Sequence, residues 1–243
     1  MMAEIYGRAT GIGKGKGGSM HIADFDKGML GANGIVGAGG PLAVGAALSA
    51  KLDGAGRVAI SFGGDGSVNQ GAVFEAMNMA VVLKLPAIFV VENNGYSEHT
   101  GADYAVGSKD IAARSEAFGM KSVKADGSDY FAVYDAMAEA LDHVRAGRGP
   151  CTAEFITTRF FGHFEGDPQK YRAKDEVKRH REEMDCLKIF RAKTLSGKML
   201  DAAALDAIDE EVMTLIDEAV AEARAAPPPS ATEVTTDVYI SYA

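Results

Sequence analysis

The sequence predicts an α/β fold: an open, mainly parallel sheet with helices on both faces, followed by C-terminal helices. Three observations carry that expectation. Short β-rich segments, RVAISF at 57–62, AIFVV at 87–91 and CTAEFIT at 151–157, alternate with stretches of helical character. A Gly-rich turn, Gly63 to Ser67, joins the first strand to a helix. Strand, turn, helix and strand then form a crossover unit, which makes the two strands parallel.

In chain order, residues 1–34 are Gly-rich and read as loop after a short helical start. Residues 40–52, GPLAVGAALSAKL, read as a helix of small side chains, with Pro41 in its first turn. Such a helix suits close packing, either inside the domain or against another subunit. Arg57 to Phe62 is expected to be a buried strand. Gln70 to Lys84 is helical, with Phe74, Met77, Val81 and Leu85 on one face, and Pro86 ends it. Asp110 to Phe118 reads as a helix, Lys121 to Lys124 as a short strand, and Tyr130 to Ala146 as a helix closed by Gly147. After residue 159 the character changes. Residues 160–173, FFGHFEGDPQKYRA, form a polar and aromatic loop, and residues 174–195 a charged helix. Asp201 to Ala225 is amphipathic, with Leu205, Ile208, Val212, Leu215 and Val220 near helical spacing, until three prolines stop it. One domain over 1–226 is expected, then a Pro-rich break and tail over 227–243, with β-like residues at Val238, Tyr239 and Ile240.

The whole chain narrows the classes. Its 243 residues can bury a large core. A net charge of −9 argues against nucleic acid as partner. No apolar run is long enough for a membrane helix, and no leader peptide is legible at the N-terminus. Two distant cysteines, Cys151 and Cys186, fit a reduced, cytoplasmic protein. The five histidines show no zinc spacing. Gly13 to Gly18 formally fits GxGxxG, but no strand precedes it, so a dinucleotide site is not expected.

The chemistry gathers at one sheet edge. Ligands of parallel sheets sit beyond the carboxyl ends of the strands. Asp65 lies just past the end of the first strand, and Asn93 and Asn94 past the end of the second. Gly63, Gly64 and Gly66 let backbone approach a bulky anion, and the next helix offers free N–H groups to phosphate. Mg²⁺ takes oxygen ligands and leaves several places to phosphate and water. Asp65, the Asn94 amide oxygen and a backbone carbonyl such as that of Tyr96 suit it.

Gly64-Asp65-Gly66, then 26 residues, then Asn93-Asn94 resembles the cofactor motif of thiamine-diphosphate enzymes. The segments KGKGGSMHIAD, GANGIVGAGGPLAVGAAL, FGGDGSVNQGAVFEAMNMAVVLKLPAIFVVENNGYS, GRGPCTAEF and GHFEGDPQKYR resemble, in order, the alpha chain of the first component of 2-oxo-acid and acetoin dehydrogenase complexes. The resemblance runs from residue 2 to about 175. It implies the thiamine-diphosphate-binding fold, with thiamine diphosphate and Mg²⁺ as cofactors. Asp65, Asn94 and the Tyr96 carbonyl match the metal ligands. Gly64, Gly66 and Ser67 match diphosphate contacts, and Gly34 and Val36 match positions on the aminopyrimidine ring. His163 matches the active-site histidine, on a mobile loop that closes over the cofactor.

Further expectations follow from that family. The partners are a beta subunit, in an α2β2 heterotetramer, and a lipoyl-bearing acyltransferase that receives the acyl unit. The carboxylate that activates the cofactor belongs to the beta chain. Phosphorylation-controlled pyruvate relatives carry serine after the active-site histidine, where this chain has Phe164. GHFEGDPQKYR looks more like acetoin dehydrogenase alpha chains, with pyruvate and branched-chain 2-oxo acids as alternative substrates. Family members carry several dozen residues, including an aromatic–arginine pair for the diphosphate, ahead of the segment with which this sequence begins. A non-catalytic assembly subunit and a transketolase half are the rival readings.

Overall fold

A computed structural model describes residues 1–239; Ile240, part of the expected β-like tail, lies outside the described residues. The chain divides into two compact units, Val36–Gly197 and the combination of Met1–Ile35 with Lys198–Ala243.

The larger unit is built on a four-stranded parallel sheet. In chain order its elements are α2 (Gly39–Asp53), β1 (Ala59–Gly64), α3 (Gly71–Val82) and β2 (Ala87–Asn93). A short hairpin follows, β3 (Tyr96–Ser97) and β4 (Thr100–Gly101), then α4 (Ala102–Ala105) and α5 (Ile111–Glu116). Next come β5 (Lys121–Asp126), α6 (Tyr130–Arg145), β6 (Cys151–Ile156), α7 (Glu176–Glu183) and α8 (Cys186–Ser196). The strand order is β1-β2-β6-β5, and all three pairings are parallel.

Strand alternation sends side chains to both faces, and helices cover each. Phe89 and Ala87 of β2 pack with Val44 and Ala47 of α2 and with Val73, Ala76, Met77 and Ala80 of α3. Ile88 and Val90 turn the other way, onto Ala140 and Val144 of α6 together with Ala153 and Phe155 of β6. The expected α/β architecture is therefore present. The small residues of α2 have an internal reason. A Cβ at Gly39 would sit 3.1 Å from the Ser61 hydroxyl, and one at Gly40 3.5 Å from the Ala76 methyl, so the helix lies close on β1 and α3.

Four details differ from expectation. β1 is an edge strand within this chain, and Ile60 and Phe62 are exposed, so it is not a buried strand. The buried stripe of α3 is Val73, Ala76, Met77 and Ala80; Phe74 and Val81 flank it. The charged helix at 174–195 is two helices, because Asp185 adopts extended backbone and its carboxylate caps α8 through the N–H groups of Leu187 and Lys188. The hairpin β3–β4 carries no sequence signal, since each strand has only two residues.

In the smaller unit, α1 (Met2–Ile5) packs on α9 (Ala202–Ala225). Of the apolar stripe expected on α9, Leu205 is buried while Ile208, Val212 and Leu215 are about half exposed. The Gly-rich loop that follows α1 folds around Glu4. That carboxylate accepts the backbone N–H groups of Gly13, Gly15, Gly17 and Gly18 at 2.7–3.2 Å. The GxGxxG-like segment thus spends its amide donors on an internal anion. Among the described residues no helix is long and apolar enough to cross a membrane. Cys151 is buried, which pushes its thiol up to about 12, and Cys186 is exposed; both are free thiols.

Candidate functional site

β1 and β2 end side by side, with Gly63 paired to Val91 and Gly64 to Glu92. The chain leaves β1 through Asp65 and Gly66 into a short 3-10 turn at Ser67–Asn69. Ser67 donates its hydroxyl to the Gly64 carbonyl at 2.8 Å, and a Cβ on Gly63 would stand 2.5 Å from that hydroxyl oxygen. A Cβ on Gly66 would collide with Ser97 of the hairpin at about 2 Å, so glycine is required there by packing. Gly64 is different. A Cβ there would meet only the Glu92 carbonyl, at 3.9 Å.

Asp65 is 1% exposed, and neither of its carboxylate oxygens has a hydrogen-bond partner of good geometry. Burial raises its pKa. The backbone N–H groups of Asp65 itself and of Asn94, and the Arg159 charge, pull the other way without cancelling it. A buried carboxylate left in this condition is costly unless a cation meets it.

The end of β2 supplies the facing wall. Asn94 accepts the Tyr96 N–H on its side-chain oxygen at 3.0 Å, and Asn93 accepts the Gly95 N–H at 3.2 Å. Gly95 has φ 82°, a left-handed conformation that lets the chain reverse into β3. Asn93, Asn94, Gly95 and Tyr96 line a cleft of about 410 Å³ bounded on the other side by Glu176, Arg179 and His180. A second cleft, about 310 Å³, opens at the opposite edge of the sheet, between Ala50, Arg57, Pro86 and Val144, away from the strand carboxyl ends.

The loop after β6 is tied together and tied to the hairpin. His163 is exposed, and its backbone N–H donates to Asp167 at 2.8 Å. Asp167 also accepts the Gln169 N–H at 2.9 Å and the Tyr171 hydroxyl at 2.6 Å. Desolvation raises the Asp167 pKa, but the three hydrogen bonds outweigh it and bring the carboxyl down to about 2. Arg159 reaches the Glu98 carbonyl, the Tyr171 hydroxyl and, at 3.4 Å, Nδ1 of His163. The Arg172 side chain is nearly inaccessible, pairs with Glu176 at 3.1 Å and donates to the Arg159 carbonyl at 2.7 Å. Glu176 accepts the Tyr96 hydroxyl at 2.9 Å, which links the loop, α7 and the 93–96 turn.

A model of the dehydrogenase E1 component family matches residues 1–232. The chain belongs to that family. The alpha subunit of acetoin:2,6-dichlorophenolindophenol oxidoreductase from Cupriavidus necator is 52% identical over all 243 residues, which span 73% of that protein. The subunit of the same name from Bacillus subtilis is 50% identical over 242 residues, spanning 72% of it. The alpha subunit of the pyruvate dehydrogenase E1 component from Rickettsia felis is 40% identical over 239 residues, 98% of this chain and 73% of that one. This E1 chain is therefore of the alpha-subunit kind, in a thiamine-diphosphate-dependent dehydrogenase family whose alpha subunits pair with beta subunits.

Of the residues singled out in the E1 sequence, Gly64, Asp65, Gly66, Ser67, Asn94 and Tyr96 lie at the carboxyl ends of β1 and β2. His163 lies on the loop after β6. Val36 opens the larger unit and is exposed, while Gly34 belongs to the smaller unit, near His21. Sequence reading missed three partners. His99 packs on Tyr171 with ring centroids 5.2 Å apart and lies 3.8 Å from Asp167, so it joins the His163 loop. His180 shares a hydrogen bond with the Thr158 hydroxyl at 2.7 Å, and both it and His143 are half-buried. Glu176 carried no motif, and its partner Tyr96 is 80 residues away.

Proposed function

We propose that this chain is the alpha half of a thiamine-diphosphate- and Mg²⁺-dependent acetoin dehydrogenase. The observation that carries the reading is Asp65: a buried carboxylate with two unpartnered oxygens, beside Asn94, at the carboxyl edge of a parallel sheet. One carboxylate among neutral oxygens suits Mg²⁺, which fills its octahedral shell with phosphate and water. Among the described residues no three His, Cys, Asp or Glu side chains gather as metal ligands, so a softer, side-chain-rich metal centre has no support there.

In this reading Asp65, the Asn94 side-chain oxygen and the Tyr96 carbonyl hold the metal. The open face at Gly64, with Gly66 and Ser67, receives the diphosphate. Val36 flanks the aminopyrimidine ring. The cofactor, when bound, supplies the electron sink for breaking a carbon–carbon bond next to a carbonyl. The chain's residues orient it. Arg159 lies 3.4 Å from Nδ1 of His163, its charge is felt at Asp65, and in this reading it adds positive charge beside the diphosphate position. His163 contacts the diphosphate and assists transfer of the acyl unit toward a lipoyl-bearing acyltransferase. A beta subunit completes the site in an α2β2 assembly, placed in the cytoplasm.

Acetoin is favoured over pyruvate by the higher identity to the acetoin subunits. The test is co-expression with the beta chain and reduction of an artificial electron acceptor with acetoin or pyruvate. Acetoin-dependent turnover requiring thiamine diphosphate is expected. Preference for pyruvate would move the chain to that substrate, and cofactor binding without turnover would make it an assembly subunit.

A further inference from the structure

Glu154 sits in the middle of β6, 1% exposed; it falls within the GRGPCTAEF segment, which by itself assigns it no role. One of its oxygens accepts the Asn93 side-chain amide at 2.8 Å, across 61 residues of sequence. The other accepts the Ala112 N–H at 2.9 Å, at the start of α5, and lies 3.3 Å from Lys124. Both oxygens therefore face N–H donors. Asn93 in turn uses its own oxygen for the Gly95 N–H, in the turn that carries Asn94 and Tyr96.

An asparagine amide has two ends of nearly equal shape and opposite hydrogen-bond sense. Only one orientation satisfies this site: nitrogen toward Glu154 and oxygen toward Gly95. A carboxylate, which accepts only, enforces it. We propose that Glu154 is a positioning residue for the metal and diphosphate edge: its carboxylate fixes the Asn93 amide and, through the 93–96 turn, the placement of Asn94 and the Tyr96 carbonyl. This rests on the metal reading given above.

The chemistry supplies its own test. In Glu154→Gln, the glutamine oxygen stays with the Ala112 N–H, and its NH₂ then faces the Asn93 NH₂. Asn93 must flip, and the Gly95 N–H loses its acceptor. In Asn93→Asp, two carboxylates face each other. In the double variant Glu154→Gln/Asn93→Asp, the glutamine accepts from Ala112 and donates to the new carboxylate at position 93, which accepts from Gly95. All three hydrogen bonds return, and Lys124 keeps its ion pair with Asp110 at 3.2 Å.

The measurement is the Mg²⁺ concentration that half-saturates thiamine diphosphate binding, by calorimetry, on the chain purified with its beta partner. Melting midpoints are recorded in parallel. Each single variant should raise that concentration about tenfold or more, the usual cost of losing a partner behind a metal ligand. The double variant should recover to within about threefold of the parent, and this comparison still decides if a single variant fails to fold. Single variants that melt earlier but keep parental Mg²⁺ dependence, or a double variant no better than the singles, would overturn the proposal. Asp65→Ala, run alongside, separates the two claims. If it leaves Mg²⁺ dependence intact, the metal reading itself fails; if it abolishes the dependence while Glu154→Gln does not, only the role of Glu154 fails.

Discussion

The Asp167 carboxylate accepts the backbone N–H of His163 at 2.8 Å. Four residues apart, they close a turn that sets where the histidine is presented. The same carboxylate holds Gln169 and Tyr171, so one side chain organises most of the loop. Asp167→Asn retains one acceptor but replaces the other with a donor. It is expected to release the loop and speed proteolytic cleavage near residue 165 at least several-fold, with little change in global melting. Parental cleavage rates would show that the aromatic contacts hold the loop alone.

The depressed pKa of Asp167 defines a pH window. A carboxyl at about 2 in the folded chain, against roughly 3.9 unfolded, stabilises the loop fully above the unfolded value. That contribution declines as pH falls from about 4 toward 2. Hydrogen exchange of the His163 and Gln169 amides should accelerate across that interval beyond its intrinsic pH dependence, and the acceleration should vanish in Asp167→Asn.

Arg172 and Glu176 form a pair with both side chains nearly inaccessible. Arg172→Ala leaves the Glu176 charge buried, held only by the Tyr96 hydroxyl and the Ala173 N–H. A loss of about 3 kcal/mol in chemical denaturation is expected. Arg172→Met/Glu176→Leu should lose much less, because it removes both charges.

Asp65 has the opposite sign. Its raised pKa means the folded chain binds that proton more tightly than the unfolded one, so its ionisation costs stability above the unfolded pKa. Asp65→Asn should stabilise the cofactor-free chain at neutral pH, by about 1 kcal/mol, while weakening Mg²⁺ binding. A drop in cofactor-free stability would mean that the carboxylate has an internal role.

The sheet and the Asp65–Asn94 edge were legible because they are written locally. Each strand is a short apolar run, and a βαβ crossover obliges its two strand ends to neighbour each other. Glu154, Glu176 and His99 were not legible. Their roles come from partners 61, 80 and 68 residues away; Glu154 lies within the GRGPCTAEF segment, but its neighbours in sequence do not say what it holds. The exposure of Ile60 and Phe62 was missed for a related reason: an apolar strand reads the same at an edge as in the centre.

The central claim is that Asp65 meets a divalent cation that carries thiamine diphosphate. Calorimetric titration of thiamine diphosphate into the chain with its beta partner, with and without Mg²⁺, tests it most directly. The parent should bind tightly only with Mg²⁺, and Asp65→Ala should lose that dependence. Equal Mg²⁺-dependent affinity in parent and Asp65→Ala would contradict the account.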